Sequence, residues 1–371
     1  SPSPPPHPTL PTLSRHYIYQ LTLPLKLWSS PHYRKGTYSQ DMRDNLRNVA
    51  VPWTGVPLSA FCYFRITYLF FVALALPALQ IARSFVTGDR ARVYSLLGRS
   101  LTWCELWRIN CNVATLHSHR FGCETEYGME NKWAFLEACE SEGVPVSPTL
   151  DLGGVCVKHR NEEGGLGIHF YRSAREGGDW IIQPVLRNAE WVREKVGDDG
   201  PLSTFRVMTM SLASTRPSSP AIPSDIVVLS CVFRAGRSHA MTDHDSVLFD
   251  VDVSTGVVGP GTTNQNWYKV LRPFAGPLVT SASHASAHPD TGAPVEGEKV
   301  PNFEVVKQVC VDAHARLLPH VPMVGFDVVL TDGVEGGVCL LEVNLSCNFF
   351  RGSFDEAVWW EGIGKVIEGG V

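Results

Sequence analysis

The stretch "VGFDVVLTDGVEGGVCLLEVN", residues 324–344, predicts two apolar strands joined by a glycine-rich turn. Side chains two positions apart on a strand share a face, so Glu342 and Asn344 project together. The turn lays Asp327, inside the first strand, near both of them. A buried carboxylate is costly unless it is paired or metal-bound, and carboxylate and amide oxygens suit Mg²⁺. The pattern predicts a magnesium site made of these three residues, against the alternative of unrelated polar residues at a solvated strand end.

The overall composition indicates a globular chain that does not bind nucleic acid. The chain has 371 residues, enough for two or three subdomains, and 44% of them are apolar against 19% charged. The net charge is −5 and no long basic run occurs, which argues against a nucleic-acid partner. The ten cysteines include no C-x-x-C pair. We therefore expect reduced thiols in a reducing compartment, either the cytosol or the cytoplasmic face of a membrane.

The N-terminal region has a different character from the rest of the chain. Residues 1–50 begin with "SPSPPPHPTLPTLS" and are predicted to be disordered, because such a composition cannot pack a core. Residues 51–89 are predicted to contain an apolar helix, with no charge over residues 66–82. A helix of that length spans roughly 25 Å, slightly less than a ~30 Å hydrocarbon core. The stretch is either a membrane anchor or a buried or interfacial helix, and the sequence leaves both open.

Further along, helical and strand patterns indicate an α+β fold. Residues 90–150 are predicted to be mainly helical, and residues 130–143 and 304–318 follow the helical period. Runs rich in β-branched residues predict further strands. These runs are "VCVK" (155–158), "DWIIQPVL" (179–186), "FRVMTMSL" (205–212), "DIVVLSCVFR" (225–234) and "SVLFDVDV" (246–253).

A lysine beside a glycine-rich loop suggests a phosphate-binding element. Lys158 ends a predicted strand, and Gly164, Gly165 and Gly167 follow in the loop. The lysine charge and the loop N–H groups can together hold phosphates, whereas a plain hairpin with glycines is the alternative.

Two polar residues within apolar strands also point to a ligand. Gln183 is the one amide in "DWIIQPVL", and it can hydrogen-bond the edge of an adenine ring stacked on that strand. Arg206 lies on a strand, and an inward-facing arginine there is typical of anion binding.

The order of these motifs resembles the ATP-grasp fold, most closely the sugar-transfer-associated group related to α-L-glutamate ligases. The resemblance runs from about residue 94 to residue 355. It rests on "NKWAFLEACESEGVPVSP" (131–148), "FDVDVSTGVVG" (249–259), "HPDTGAPVEGEKVP" (288–301) and the stretch that ends in "LLEVN". It implies two α+β subdomains that clasp ATP, preceded by a helical N-terminal region. Residues 151–215 would form the lid and hinge, and residues 216–371 the core with the metal ligands.

The resemblance also implies roles for individual positions. Arg206 corresponds to an arginine that touches the reacting phosphate or acyl group, and Asp327, Glu342 and Asn344 match ligands of Mg²⁺ or Mn²⁺. The implied nucleotide site consists of Lys132 and Lys158 at the phosphates, Gly164, Gly165 and Gly167 in the lid loop, Gln183, Pro184, Val185 and Leu186 at the adenine, and Glu190 at the ribose. The lid loop departs from the family pattern because it carries two acids, and Asp243 is a candidate substrate contact.

The implied activity is that of an ADP-forming ligase. A small-molecule carboxylate would attack ATP to give an acyl phosphate, and an amine or sugar-linked acceptor would then displace phosphate. An ATP-dependent small-molecule kinase and a membrane-associated accessory ATP-binding protein without ligase activity are the alternatives. Because the three metal-ligand positions look like a self-repelling set, replacing Asp327 or Glu342 with alanine is expected to abolish Mg²⁺-dependent ATP turnover and to leave the fold intact.

Overall fold

The computed structural model describes residues 19, 22–47, 86–88, 103–161, 166–216, 222–243, 246–263, 285–345 and 352–368. The helices in these ranges are α1 (Tyr38–Arg47), α2 (Trp103–Phe121), α3 (Glu124–Tyr127), α4 (Lys132–Glu142), α5 (Glu190–Val196), α6 (Phe303–Leu317) and α7 (Glu356–Glu368). The strands are β1 (Gly154–Lys158), β2 (Ile168–Arg172), β3 (Thr204–Ser211), β4 (Ile226–Gly236), β5 (Ser246–Val251), β6 (Val258–Thr263), β7 (Met323–Leu330) and β8 (Val338–Asn344). The α+β class is confirmed.

Six strands form one antiparallel sheet in the order β6-β5-β4-β3-β7-β8, and β1 and β2 form a separate two-stranded ribbon. The predicted strand pair of residues 324–344 is confirmed as β7 and β8. Strand β3 lies between β4 and β7. The division expected at residues 215/216 therefore separates two strands that are neighbours in this sheet.

A bulge in β8 sets which of its side chains reach each face of the sheet. Val328 pairs with Leu340, whereas the preceding residue, Asp327, pairs with Glu342, so Leu341 is the extra residue. Before the bulge Leu340 is buried in the core, and after it Val343 is. The extra residue thus turns Glu342 away from the core and sets it beside Asp327.

One face of the six-stranded sheet is apolar and forms the main core. Phe205 and Phe233 stack there with ring centroids 4.8 Å apart. Helices α4 and α6 pack against this face, and Phe135 of α4 lies 6.4 Å from Phe326 of β7. Neighbouring residues along a strand point to opposite faces, so the residues next to Phe205, Phe233 and Phe326 in their strands point to the other face of the sheet.

The α4 and α6 helices are those expected from the helical period. The side chain of Asn131 accepts the N–H groups of Trp133 and Ala134, so it caps the start of α4. Gly143 ends this helix in the left-handed conformation, with φ 66°, which glycine adopts without a steric penalty.

Part of the N-terminal region is folded, so the prediction of disorder over residues 1–50 is wrong for residues 22–47. Leu23, Leu27 and Tyr38 are buried in a second apolar cluster with side chains of α2, α7, β3 and β4. The physical reason is that the apolar residues after the proline-rich start are enough to dock this segment on the sheet.

The strand predicted over residues 179–186 is also wrong. The segment is extended, but its bridge pairing is limited to a single contact between Trp180 and Ser173. One further bond runs from the N–H of Leu150 to the carbonyl of Ile182, at 2.8 Å. Pro184 has no N–H to give to a neighbouring strand, so an apolar β-branched composition does not produce a ladder here.

The described helices were compared with the predicted membrane anchor, and the described cysteines with the predicted reduced thiols. Within the described ranges, no helix is both long and apolar enough to cross a bilayer. The stretch 66–82, predicted as an anchor or a buried helix, lies outside the described residues. The described cysteines are free thiols.

Two adjacent valines of α6 test the assignment of the core. Val306 is fully buried, whereas Val305 is 44% exposed. Val306→Ala should lower the free energy of unfolding by about 2 kcal/mol, since it removes buried methyl groups and leaves a cavity. Val305→Ala, the matched control, should stay within ~0.5 kcal/mol in urea unfolding. Equal losses for the two variants would contradict the packing of α6 on the sheet.

Candidate active site

A carboxylate bound by two arginines, Asp327, lies on the face of the six-stranded sheet opposite the main core. We call this face the charged face. Arg206, directly opposite Asp327 on β3, donates to both of its oxygens, from Nε to Oδ1 and from Nη2 to Oδ2, the latter at 2.9 Å. Arg234 of β4 approaches Oδ2 to 3.5 Å through Nη1. The Asp327 side chain is only 7% exposed, so this is a buried, forked ion pair.

The electrostatics of this group follow from burial and from the two arginines. Burial on its own would raise the pKa of Asp327, but Arg206 and Arg234 outweigh it and hold the pKa below its ordinary value. Burial would lower the pKa of Arg206, but Asp327 outweighs it and holds that pKa above its ordinary value. The expectation of a self-repelling cluster is therefore wrong for Asp327, because cations on two strands compensate its charge.

A second buried carboxylate extends this array. Arg234 Nη2 lies 3.1 Å from Asp243 Oδ1, and the Thr204 hydroxyl donates to Asp243 Oδ2. Burial raises the pKa of Asp243, although Arg234 and Thr204 act in the opposite direction. Both oxygens of the candidate substrate contact are thus engaged by the protein, and Arg234 bridges the two aspartates.

The β8 side of the face carries the other two predicted metal ligands. Glu342 pairs with Lys132 Nζ at 2.7 Å, and their side chains are 26% and 64% exposed. Lys132 is brought there by its place in the first turn of α4. Asn344 lies opposite Gly325, and its Nδ2 is buried without a hydrogen-bond partner in the described part of the chain.

The described ion pairs of the charged face join three acidic and three basic side chains. They are Asp243, Asp327 and Glu342 against Lys132, Arg206 and Arg234. Among the described residues, no group of three or more His, Cys, Asp or Glu side chains has metal-binding geometry. The predicted set, with two carboxylates and one amide, contains the oxygen ligands that a hard cation prefers, and Glu342 and Asp327 are side by side.

The predicted phosphate-binding loop lies on the separate ribbon. Lys158 ends β1 opposite Ile168 and is exposed. Gly167 has φ 64° and its carbonyl accepts the N–H of His159 at 3.0 Å, which closes the loop. Gly164 and Gly165 lie outside the described residues. Lys132 therefore reaches the charged face, whereas Lys158 makes no ion pair within the described ranges.

The predicted adenine-binding residues form an extended segment rather than a strand. Gln183 Nε2 donates to Ser147 Oγ at 2.9 Å and to the Ser147 carbonyl at 3.2 Å, so this N–H group is already hydrogen-bonded within the chain. The adjacent Pro184 and Leu186 are half-buried, whereas Val185 is 94% exposed. Glu190 is exposed in the first turn of α5.

Sequence reasoning missed Arg234 and Glu130. A usable pattern was present for the first: "FR" occurs on both β3 and β4, and in each case the phenylalanine lies in the core and the arginine on the charged face. Glu130 carried no such pattern, because its partners are Arg34 and the main chain of Leu345, both distant in sequence.

A comparison with protein families identifies this sheet. The family described as sugar-transfer associated ATP-grasp matches residues 202–350. The matched segment, 149 of the 371 residues, is similar to this ATP-grasp family. The ATP-grasp segment spans β3 to β8 and includes Arg206, Arg234 and the predicted metal ligands, whereas Lys132 and Lys158 precede it. ATP-grasp enzymes generally use ATP and Mg²⁺.

Solved structures similar to this chain resemble it only distantly. They include N5-carboxyaminoimidazole ribonucleotide synthetase from Thermotoga maritima, with 10% identity, TM-score 0.29, and 63% of this chain and 48% of that chain covered. L-amino acid ligase from Bacillus licheniformis has 14% identity, TM-score 0.28, and coverages of 60% and 42%. D-alanyl-alanine synthetase A from Vibrio cholerae O1 biovar eltor str. N16961 has 11% identity, TM-score 0.30, and 66% of both chains covered.

The chain spans 48%, 42% and 66% of the length of these three structures. TM-scores of 0.28–0.30 are too low for the activities of these proteins to be assigned to this chain. None of the curated proteins compared with it matches.

Removing the central carboxylate of the ATP-grasp sheet should destabilise the fold. Asp327→Asn leaves Arg206 and Arg234 buried with one partner charge missing, so we expect a loss of about 3–5 kcal/mol in unfolding free energy at neutral pH. Glu342→Gln breaks a more exposed pair on the same face and should cost less than about 1 kcal/mol. Chemical denaturation of the two variants makes the comparison, and similar small losses would show that the arginine pair does not hold the sheet.

Proposed function

We propose that this chain is a Mg²⁺- and ATP-dependent ligase that joins a small-molecule carboxylate to an amine or sugar-linked nucleophile and releases ADP. One observation carries the proposal. Arg234 and Arg206 lie on β4 and β3, directly beside Asp327 and Glu342 on β7 and β8, and Lys132 reaches Glu342 from α4. Anion-binding and cation-binding side chains are therefore adjacent on one face. A metal–phosphate complex needs both kinds of group at once.

The reaction forms and breaks bonds in two displacements. A carboxylate oxygen of the first substrate attacks the γ-phosphorus of ATP, the bond to the bridging oxygen breaks, and ADP leaves. The nucleophile then attacks the carbonyl carbon of the acyl phosphate, inorganic phosphate leaves, and the nucleophile loses a proton. Positioning and charge stabilisation account for most of the rate of such steps.

The charged face supplies these requirements through its own residues. Asp327, Glu342 and Asn344 would hold Mg²⁺ or Mn²⁺, which when bound neutralises charge on the phosphate oxygens. Arg206 and Arg234 hold the oxygens of the transferred phosphate and of the acyl group. Asp327 keeps both guanidinium groups oriented before substrate arrives, so less reorganisation is needed during the reaction.

The nucleotide would bind between the charged face and the ribbon that carries Lys158. Lys132 and Lys158 contact phosphates in this proposal, and residues 183–186 line the adenine. The exposed Val185 side chain offers an apolar surface to a ring, which supports this part. The ribose hydroxyls would be bound by Glu190, which is exposed at the start of α5.

Product analysis tests the reaction class. The protein is incubated with ATP, Mg²⁺ and a fractionated metabolite mixture, and consumed and new masses are identified by mass spectrometry. We expect ADP, phosphate and a conjugate whose mass equals the acid plus the nucleophile less one water. A phosphorylated metabolite with ADP and no conjugate would instead identify a kinase. A Glu342→Gln control, which removes a proposed metal ligand and is expected to keep the fold, should abolish the new mass.

A lysine replacement tests the nucleotide site. Lys158→Met should weaken binding of ATP by roughly 10–100-fold while changing adenosine binding by less than about twofold, because the lysine would contact only phosphates. Lys365→Met, which removes an exposed helix ion pair on α7, is the matched control and should change neither. Isothermal titration calorimetry measures all three proteins. Parallel losses of ATP and adenosine affinity would make Lys158 a structural residue.

A further inference from the structure

The end of β8 is held by a side chain from outside the ATP-grasp segment. Glu130 Oε1 accepts the backbone N–H of Leu345 at 3.0 Å. Leu345 directly follows Asn344 in the chain and is buried. The bond therefore fixes the backbone on the C-terminal side of a proposed metal ligand, where the ladder with β7 ends.

Glu130 is itself held by Arg34 of the N-terminal region. Arg34 contacts both oxygens of the Glu130 carboxylate, Nε with Oε2 and Nη2 with Oε1, the latter at 2.5 Å. The remaining Nη1 donates to Asp41 at 3.2 Å, and the Arg34 N–H donates to His32 Nδ1 at 3.2 Å. A fork with both carboxylate oxygens has a defined geometry, so Arg34 orients Glu130 as well as neutralising it.

The same short stretch contacts β8 at a second point. Lys132, two residues after Glu130, pairs with Glu342 at 2.7 Å. Asn344 thus lies between two residues, Glu342 and Leu345, that are both contacted from residues 130–132. Outer groups that orient metal ligands typically change metal affinity 10–100-fold when they are removed.

We propose that Arg34 is a positioning residue of the active site: through Glu130 it sets the end of β8 and so the orientation of Asn344 and Glu342 toward a divalent cation. The inference rests on the proposed function for its cation. It goes beyond the matched segment, because Arg34 lies in a region that the family match, residues 202–350, does not include. In this assignment the folded N-terminal segment is part of the functional site.

The test uses the full chain with Arg34→Gln and a matched control, Arg216→Gln. Arg216 also pairs with an aspartate, Asp225 at 3.0 Å, but at the opposite end of β4 from Arg234. ATP binding is titrated with Mg²⁺ and again with EDTA. In Arg34→Gln the gain in ATP affinity that Mg²⁺ provides should fall about tenfold, while ATP affinity in EDTA stays within about twofold. The control should change neither.

Hydrogen exchange at the Leu345 amide gives a second readout that needs no ligand. We expect faster exchange at this amide in Arg34→Gln than in the parent and in Arg216→Gln. Glu130→Gln alters the carboxylate that both Arg34 and the Leu345 N–H contact, so it should accelerate exchange at least as much as Arg34→Gln. Unchanged exchange in Arg34→Gln overturns the inference, as does an equal loss of ATP affinity with and without Mg²⁺. A parent protein that gains nothing from Mg²⁺ rejects the proposed function instead, and the exchange result then decides the role of Arg34 alone.

Discussion

The forked ion pair between Asp327 and Arg206, supported by Arg234, is the interaction on which this structure depends. Three charges from three adjacent strands are buried on one face of a sheet whose other face is the apolar core. A buried charge without a partner costs several kcal/mol, so none of the three strands can shift its register without breaking the set. The ion pair therefore fixes the order and alignment of β4, β3 and β7 at the point where the chemistry is proposed to occur.

The charge balance of this face has consequences for ligand binding. Asp243, Asp327 and Glu342 each have a basic partner already. An incoming cation and an incoming polyanion therefore favour each other's binding, because the cation suits the carboxylates and the polyanion suits the guanidinium and ammonium groups. Binding of a neutralised metal–nucleotide complex preserves the balance, whereas binding of either component alone disturbs it. Such an arrangement favours joint recognition of metal and phosphate over recognition of either one.

The family segment and the residues around it contribute different parts of the candidate site. The segment from β3 to β8 carries the aspartates, both arginines and the carboxylate and amide of β8. Residues before it supply Lys132 to the face and Glu130 to the end of β8, and the N-terminal segment holds Glu130 through Arg34. Residues that precede the matched segment therefore contribute contacts to one edge of its sheet.

Several features could be predicted from local sequence because they depend on near neighbours. The β7–β8 pair, the shared face of Glu342 and Asn344, and the end of α4 at Gly143 follow from strand alternation and helix capping. The segment 179–186 shows the limit, since β-branched composition does not supply a partner strand. The same limit applies to Arg206 and Asp327, which are 121 residues apart, and to Arg34 and Glu130, which are 96 apart. Periodicity states which side of a strand a residue occupies, but sheet order and the extra residue Leu341 decide what lies opposite, and those depend on packing of the whole chain.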